Sequence, residues 1–127
     1  MFTDDNPLTA YQHNAGAARI ASASPQQLVV ILLDHLLDEL DCIESHIATR
    51  QLNSKGDSIS KCLEILHVLD ASLDIQNGGA LAENLHQLYD FCCRRLLDAN
   101  LRNQVAPLAE VRRVIIPLKE GWEGTRG

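Results

Sequence analysis

Two tetrads in this sequence carry the residue types of a metal centre. Glu64-Ile65-Leu66-His67 and Glu83-Asn84-Leu85-His86 both read Glu-x-x-His. In helical bundles, two such motifs plus a glutamate from each of two other helices hold a di-iron or di-manganese site. Ligands for a buried ion must point inward, so helical phase is the test. On the helix that carries Cys62, Leu66 and Leu73, Glu64 points roughly 170° from the apolar centre and His67 roughly 110°. The phase is nearly the same for Glu83 and His86 against Leu81, Leu85, Leu88 and Cys92. Both motifs are therefore expected on a solvated face, and no metal ligand is assigned. A thiol–imidazole pair of Cys92 or Cys93 with His86 is weaker still, because the residues are nearly two turns apart and no third group orients them. No G-x-S-x-G, phosphate-binding P-loop or G-x-G-x-x-G occurs. Asp34, Asp38 and Asp41 read as solvating charges. No catalytic residue and no cofactor is assigned, and the chain is expected not to be an enzyme.

The elements that would position these residues are helices. The chain has 127 residues, which suits one domain. Hydrophobic residues make up 46%, which argues against wholesale disorder. Leucine, a strong helix former, dominates that fraction, and aromatics are only 4%. Ser24, Pro25 and Gln27 make a capping box with proline at the first helical position. Leu28, Leu32, Leu36, Leu40, Ile43 and Ile47 then recur at helical spacing, predicting a first helix to about Thr49. A polar break follows over 51–56. The second helix carries Ile59, Cys62, Leu63, Leu66, Leu69 and Leu73, and is expected to stop at Asn77-Gly78-Gly79. The third carries Leu81 to Ala99 and ends near 100–103. The fourth carries Leu108, Val111, Ile115, Leu118 and Trp122, with Pro117 expected to kink it or end it early. The predicted fold is all-α, an antiparallel up-and-down four-helix bundle over 24–124. Residues 1–23 are expected to form a flexible N-terminal segment, with one possible short helix at about 9–19.

Charge and cysteines narrow the partners. A net charge of −6 argues against nucleic acid, and neither Arg94-Arg95 nor Arg112-Arg113 extends into a basic stripe. The first residues lack a basic region followed by an apolar one, so no signal peptide is expected. The longest clean apolar run, Leu28 to Leu33, is too short to insert into a membrane. Cys42, Cys62, Cys92 and Cys93 show no C-x-x-C spacing and are expected to be reduced, three of them at apolar helical positions, in a cytoplasmic protein. On the first helix, Val30 and Ile31 fall on the side away from the main apolar face. They mark either a central helix touched from several sides or a groove for a foreign helix.

From Leu73 to Asn100 the pattern becomes specific. Leu73-Asp74, Gly78-Gly79, Ala82, Asn84-Leu85, Leu88-Tyr89-Asp90, Arg94-Arg95-Leu96 and Ala99-Asn100 together resemble the signature of the FliS-type flagellar export chaperones. Ser22-Ala23-Ser24-Pro25 with Leu28-Val29, and Tyr11, are similar to that family's entry to its first long helix and its N-terminal tyrosine. The sequence departs from the family at Leu33 (often aromatic), His35 (often glycine), Ala80 (usually acidic), and at Pro117 and Gly121, which interrupt a usually regular last helix. These departures bear on the shape of the helix-four groove.

The resemblance implies a cytoplasmic chaperone that binds the C-terminal segment of flagellin as helices, prevents premature polymerisation and holds the client for type III export. It implies contact with the export gate through the flagellin complex, and a monomer or weak homodimer. Apolar surplus and position in the motif nominate Val30, Ile31, Leu33, Leu88 and Tyr89 as groove residues, with Leu36 and Leu85 beneath or beside them. Leu8 and Tyr11 are expected to cap the empty groove. The alternatives are a metal-binding, ferritin-like bundle and a chaperone for another secreted client.

Overall fold

The computed structural model describes residues 23–73 and 75–124. They form four helices: α1 (Pro25–Ala48), α2 (Leu52–Ala71), α3 (Ile75–Arg102) and α4 (Ala106–Gly124). No strand occurs among the described residues. Each helix packs on its neighbours in chain order, and α4 closes the ring on α1. The result is the expected up-and-down bundle.

The first helix starts as the sequence predicts. The Ser24 hydroxyl accepts the Gln27 N–H at 3.1 Å, and the Gln27 side-chain oxygen accepts the Ser24 N–H at 2.8 Å. The α1–α2 turn is tighter than the polar composition suggests. The Gln51 N–H reaches back to the His46 carbonyl and the Arg50 N–H to that of Ile47. Arg50 takes a positive φ of 57°. This is the six-to-one, five-to-two closure that ends helices, with arginine in the place glycine usually takes. It frees Leu52 to begin α2, so the break expected over 51–56 is mostly helix.

Two further expectations are corrected. The second helix ends at Ala71, with the Ser72 hydroxyl donating to the Leu69 carbonyl at 2.8 Å. Gly78-Gly79 lies instead in the opening of α3, where Gly79 breaks the helix with φ 58° and ψ −135°. A side chain there would strain the backbone, so glycine is needed at the junction. The fourth helix continues past Pro117 to Gly124. Pro117 is exposed, so water can satisfy the carbonyl that its missing N–H leaves open.

The core runs the length of the bundle. Leu32, Leu33, Leu36 and Leu40 of α1 meet Cys62 and Leu66 of α2, Cys92 and Leu96 of α3, and Leu108, Val111 and Ile115 of α4, all fully buried. Ion pairs tie the seams outside it. Arg112 bridges Asp41 and Glu44 at 2.9 Å each, Lys119 meets Asp34, and Arg95 meets Glu110 at 3.0 Å. Asp34 and Asp41 therefore bind α4 to α1 rather than merely solvating α1.

Candidate functional site: an apolar groove at one end of the bundle

The four helices meet unequally at the end that holds the start of α1 and the end of α4. There α2 stops at Ala71 and α3 opens through Gly79. A hollow of about 300 Å³ remains, walled by Pro25 and Val29 of α1, Leu69 and Leu73 at the end of α2, and Leu81, Ala82, Leu85 and Tyr89 of α3, with Trp122 of α4. A second hollow of about 300 Å³ lies between α3 and α4, walled by Leu81, Leu85, Pro117, Leu118, Gly121 and Trp122. Leu81, Leu85 and Trp122 belong to both, so the hollows form one continuous apolar groove. Leu81 is 68% exposed between them.

Polar groups sit at the groove's edge. The His86 Nδ1–H donates to Asp70 at 2.6 Å, joining the α3 wall to the α2 wall. That hydrogen bond, and then the Asp70 charge, raise the His86 pKa above its ordinary value. Tyr89 is nearly buried in the groove wall. Burial, with the Asp70 charge adding, pushes its phenol up to about 12, so it stays neutral.

Of the seven groove residues expected from sequence, two line the groove: Leu85 and Tyr89. Leu33 and Leu36 are fully buried core residues, unavailable at the surface. Val30 and Ile31 are half-buried and line neither hollow, and Leu88 is exposed beside α3 without lining one. Leu8 and Tyr11 lie outside the described residues, as does the expected N-terminal segment over 1–23 apart from Ala23. Sequence reasoning missed Pro25, Val29, Leu69, Leu81, Pro117, Gly121 and Trp122 as groove residues. Their apolar periodicity was visible, but it placed Leu81 and Trp122 in the core.

The chemical alternatives fare differently. Glu64, His67, Glu83 and His86 are all exposed, as helical phase predicts. Among the described residues no group of three or more His, Cys, Asp or Glu could hold a metal ion. His86 bonds Asp70 rather than a thiol. Burial, with the neighbouring Cys93 adding, pushes Cys92 up to about 12, and burial raises Cys93 as well. Neither supplies a thiolate nucleophile near neutral pH. All four cysteines are free, with Cys62 and Cys92 buried.

Beyond the bundle and its groove, comparison with known proteins shows the family. The family described as "Flagellar protein FliS" matches residues 7–126. The chain belongs to the FliS family. It is 35% identical over 117 residues to the flagellar secretion chaperone FliS of Salmonella typhimurium, covering 91% of this chain and 87% of that one. It is 36% identical over 115 residues to the Escherichia coli FliS chaperone, covering 90% and 85%. It is 33% identical over 117 residues to FliSB of Pseudomonas aeruginosa, covering 92% and 93%. This membership places the chain among the flagellar secretion chaperones. No helix among the described residues is long and apolar enough to cross a membrane.

Proposed function

We propose that this chain binds the C-terminal segment of flagellin in the cytoplasm, holds it as helix in the end groove, and keeps it from polymerising until export. The observation that carries this reading is the groove itself: two contiguous apolar hollows on a bundle of the flagellar-chaperone family. Apolar surface of this shape takes up amphipathic helices. A disordered segment that folds on binding can bury on the order of 1,000–3,000 Å², while ordering consumes about 2–5 kcal/mol of the gross interaction. The complex is then tight enough to protect the client and still separable without a nucleotide-driven step.

Calorimetry with flagellin from the same cell tests this, beside flagellin lacking its C-terminal segment. The expected result is binding of the full chain with a negative heat-capacity change, and none of the truncated one. Equal binding of both would move the client contact elsewhere on flagellin. Binding of neither would refute the reading.

A further inference from the structure

We propose that the outer ridge of α3, at the end of the bundle where α2 begins and α3 finishes, is a self-association surface, and that its occupant is the same ridge of a second copy of this chain. The surface lies at the opposite end from the groove, so the inference does not depend on the proposed client. Leu97 and Leu101 stand four residues apart on α3, on adjacent turns of one face. That face is turned away from the core residues Cys92, Leu96 and Ala99. Leu101 is 79% exposed, the most of any large apolar side chain among the described residues. The Lys55 ammonium, donating to the Asn100 carbonyl, ties the start of α2 to this corner. Leu52 stands there, and Val105 follows the end of α3; like Leu97, both are about half exposed. Together the four expose about 400 Å² of mostly apolar surface, a size at which a patch on a monomer is often functional.

Charge and spacing say what covers it. The chain carries −6 overall, so two copies repel over most of their surface. The ridge is the exception. From Asp90 to Arg102, α3 holds three arginines (Arg94, Arg95 and Arg102) against two aspartates (Asp90 and Asp98), a local balance of +1. Asp90 pairs with Arg94 at 3.1 Å and Asp98 with Arg102 at 2.9 Å, while Arg95 is shared by Asp98 and Glu110. The charges beside the leucines are thus matched within the chain and select no charged partner. What remains is apolar and self-complementary. When two α3 helices cross antiparallel about a twofold axis level with Ala99, Leu97 of each copy meets Leu101 of the other. A twofold contact uses one patch on both copies, residue i on j and j on i. The two leucines satisfy this, packing as ridges into each other's grooves. The patch is about half the roughly 800 Å² per partner of a standard interface, so the dimer is weak and dissociates on dilution.

Sedimentation velocity of the full chain, over a range of protein concentrations at low and high salt, tests this. The expected result is a reversible monomer–dimer equilibrium. It should shift toward dimer with protein concentration and with added salt, which screens the net charge of the two copies. Leu101→Glu should raise the dissociation constant about tenfold or more with melting temperature unchanged, since the side chain is exposed. Leu101→Ser keeps the test valid if the glutamate variant melts early. A second arm mixes two double variants. Leu97→Glu with Leu101→Glu, and Leu97→Lys with Leu101→Lys, should each be monomeric. A one-to-one mixture of them should dimerise, because opposite charges then face each other across the axis. A wild type that stays monomeric at every concentration and salt would overturn the proposal. So would a dimer unmoved by Leu101→Glu, which would put the interface on another face. Loss of the dimer in both double variants, with no recovery on mixing, would overturn the twofold pairing.

Discussion

The two ends of this bundle are built on opposite plans. At the end where α2 begins and α3 finishes, Lys55 is 5% exposed and its ammonium donates to the Asn100 carbonyl at 2.9 Å and to the Asn103 side chain. A cation there satisfies the last carbonyls of α3 and matches the negative end of its dipole. Asn103, with φ 53°, turns the chain away. Leu52, Leu97, Leu101 and Val105 are exposed but line neither hollow. At the other end apolar residues of all four helices converge on a shared groove. The closed end spends its polar contacts on finishing helices. The open end leaves apolar surface unfinished, and among the described residues a half-exposed His86–Asp70 pair crosses there from α2 to α3. Exposed leucine alone is therefore a poor sign of a groove; exposed leucine beside concave apolar neighbours is a good one.

The sharpest way to break the comparison is to truncate one leucine at each place. Leu40 is fully buried. Leu40→Ala should cost about 2–5 kcal/mol of stability, lost transfer plus a cavity. For a domain of this size that lowers Tm by several degrees per kcal/mol, readable by circular dichroism. At fully folding temperatures its affinity for flagellin should stay close to wild type. Leu81→Ala should do the reverse. An exposed substitution of this kind shifts stability by about 0.5 kcal/mol or less, whereas affinity should fall about tenfold or more if Leu81 contacts the client in the groove. A Leu81→Ala variant that melts early yet binds normally would erase the distinction between the two ends.

Lys55→Met sharpens the comparison from the closed side. Methionine keeps most of the buried stem but leaves the Asn100 carbonyl and the Asn103 amide without their cation. The expected cost is about 1–3 kcal/mol, the penalty for a buried polar group left unsatisfied. Hydrogen exchange should speed up first in the last turn of α3, while flagellin titrations of the folded protein stay unchanged. Protection lost at the α2–α3 walls of the groove instead would mean the ends are coupled.

The helical core was far more legible in the sequence than either end of the bundle. The Ser24 box, the apolar stripe of α1 and the core residues of α2 to α4 follow from spacing, because helical period says which residues share a face. It does not say which face a neighbour covers. Leu33 was nominated for the groove from apolar surplus and motif position, yet it is fully buried in the core, as is Leu36, which was expected beneath or beside the groove. Leu81 sits at an equally regular apolar position, yet it is 68% exposed, while Trp122 is only partly buried against the core. Arg50 at positive φ hid the α1–α2 turn, where a glycine would have announced it. The Gly78-Gly79 pair was read as an ending of α2 because glycine marks a break in a helix without saying on which side the helix lies. A groove lined by residues of all four helices is a long-range property, and local pattern does not reveal it. Resemblance, by contrast, pointed to the flagellar secretion chaperone family, to which the chain belongs.

The smallest effect concerns the His86–Asp70 pair, the polar link across the open end. Asp70 faces His86 from α2, and Asp90 and Glu83 flank it on α3; all three favour the charged imidazole. With its folded pKa raised, His86 binds its proton more tightly in the folded chain than in the unfolded one. The resulting stability is present in full below the unfolded value, about 6.5. It is lost as pH rises through the folded pKa. Because the imidazole is half-exposed, water and salt screen the pair and keep the effect small. Melting curves from pH 6 to 8 should therefore fall slightly more steeply for the wild type than for His86→Gln, a difference that added salt should shrink. The imidazole should titrate, by NMR, above the unfolded midpoint. Parallel pH slopes with an unshifted midpoint would mean the link is only a neutral hydrogen bond. The open end would then have no charge-based tie between α2 and α3, and the contrast with the Lys55 end would be larger than the distances suggest.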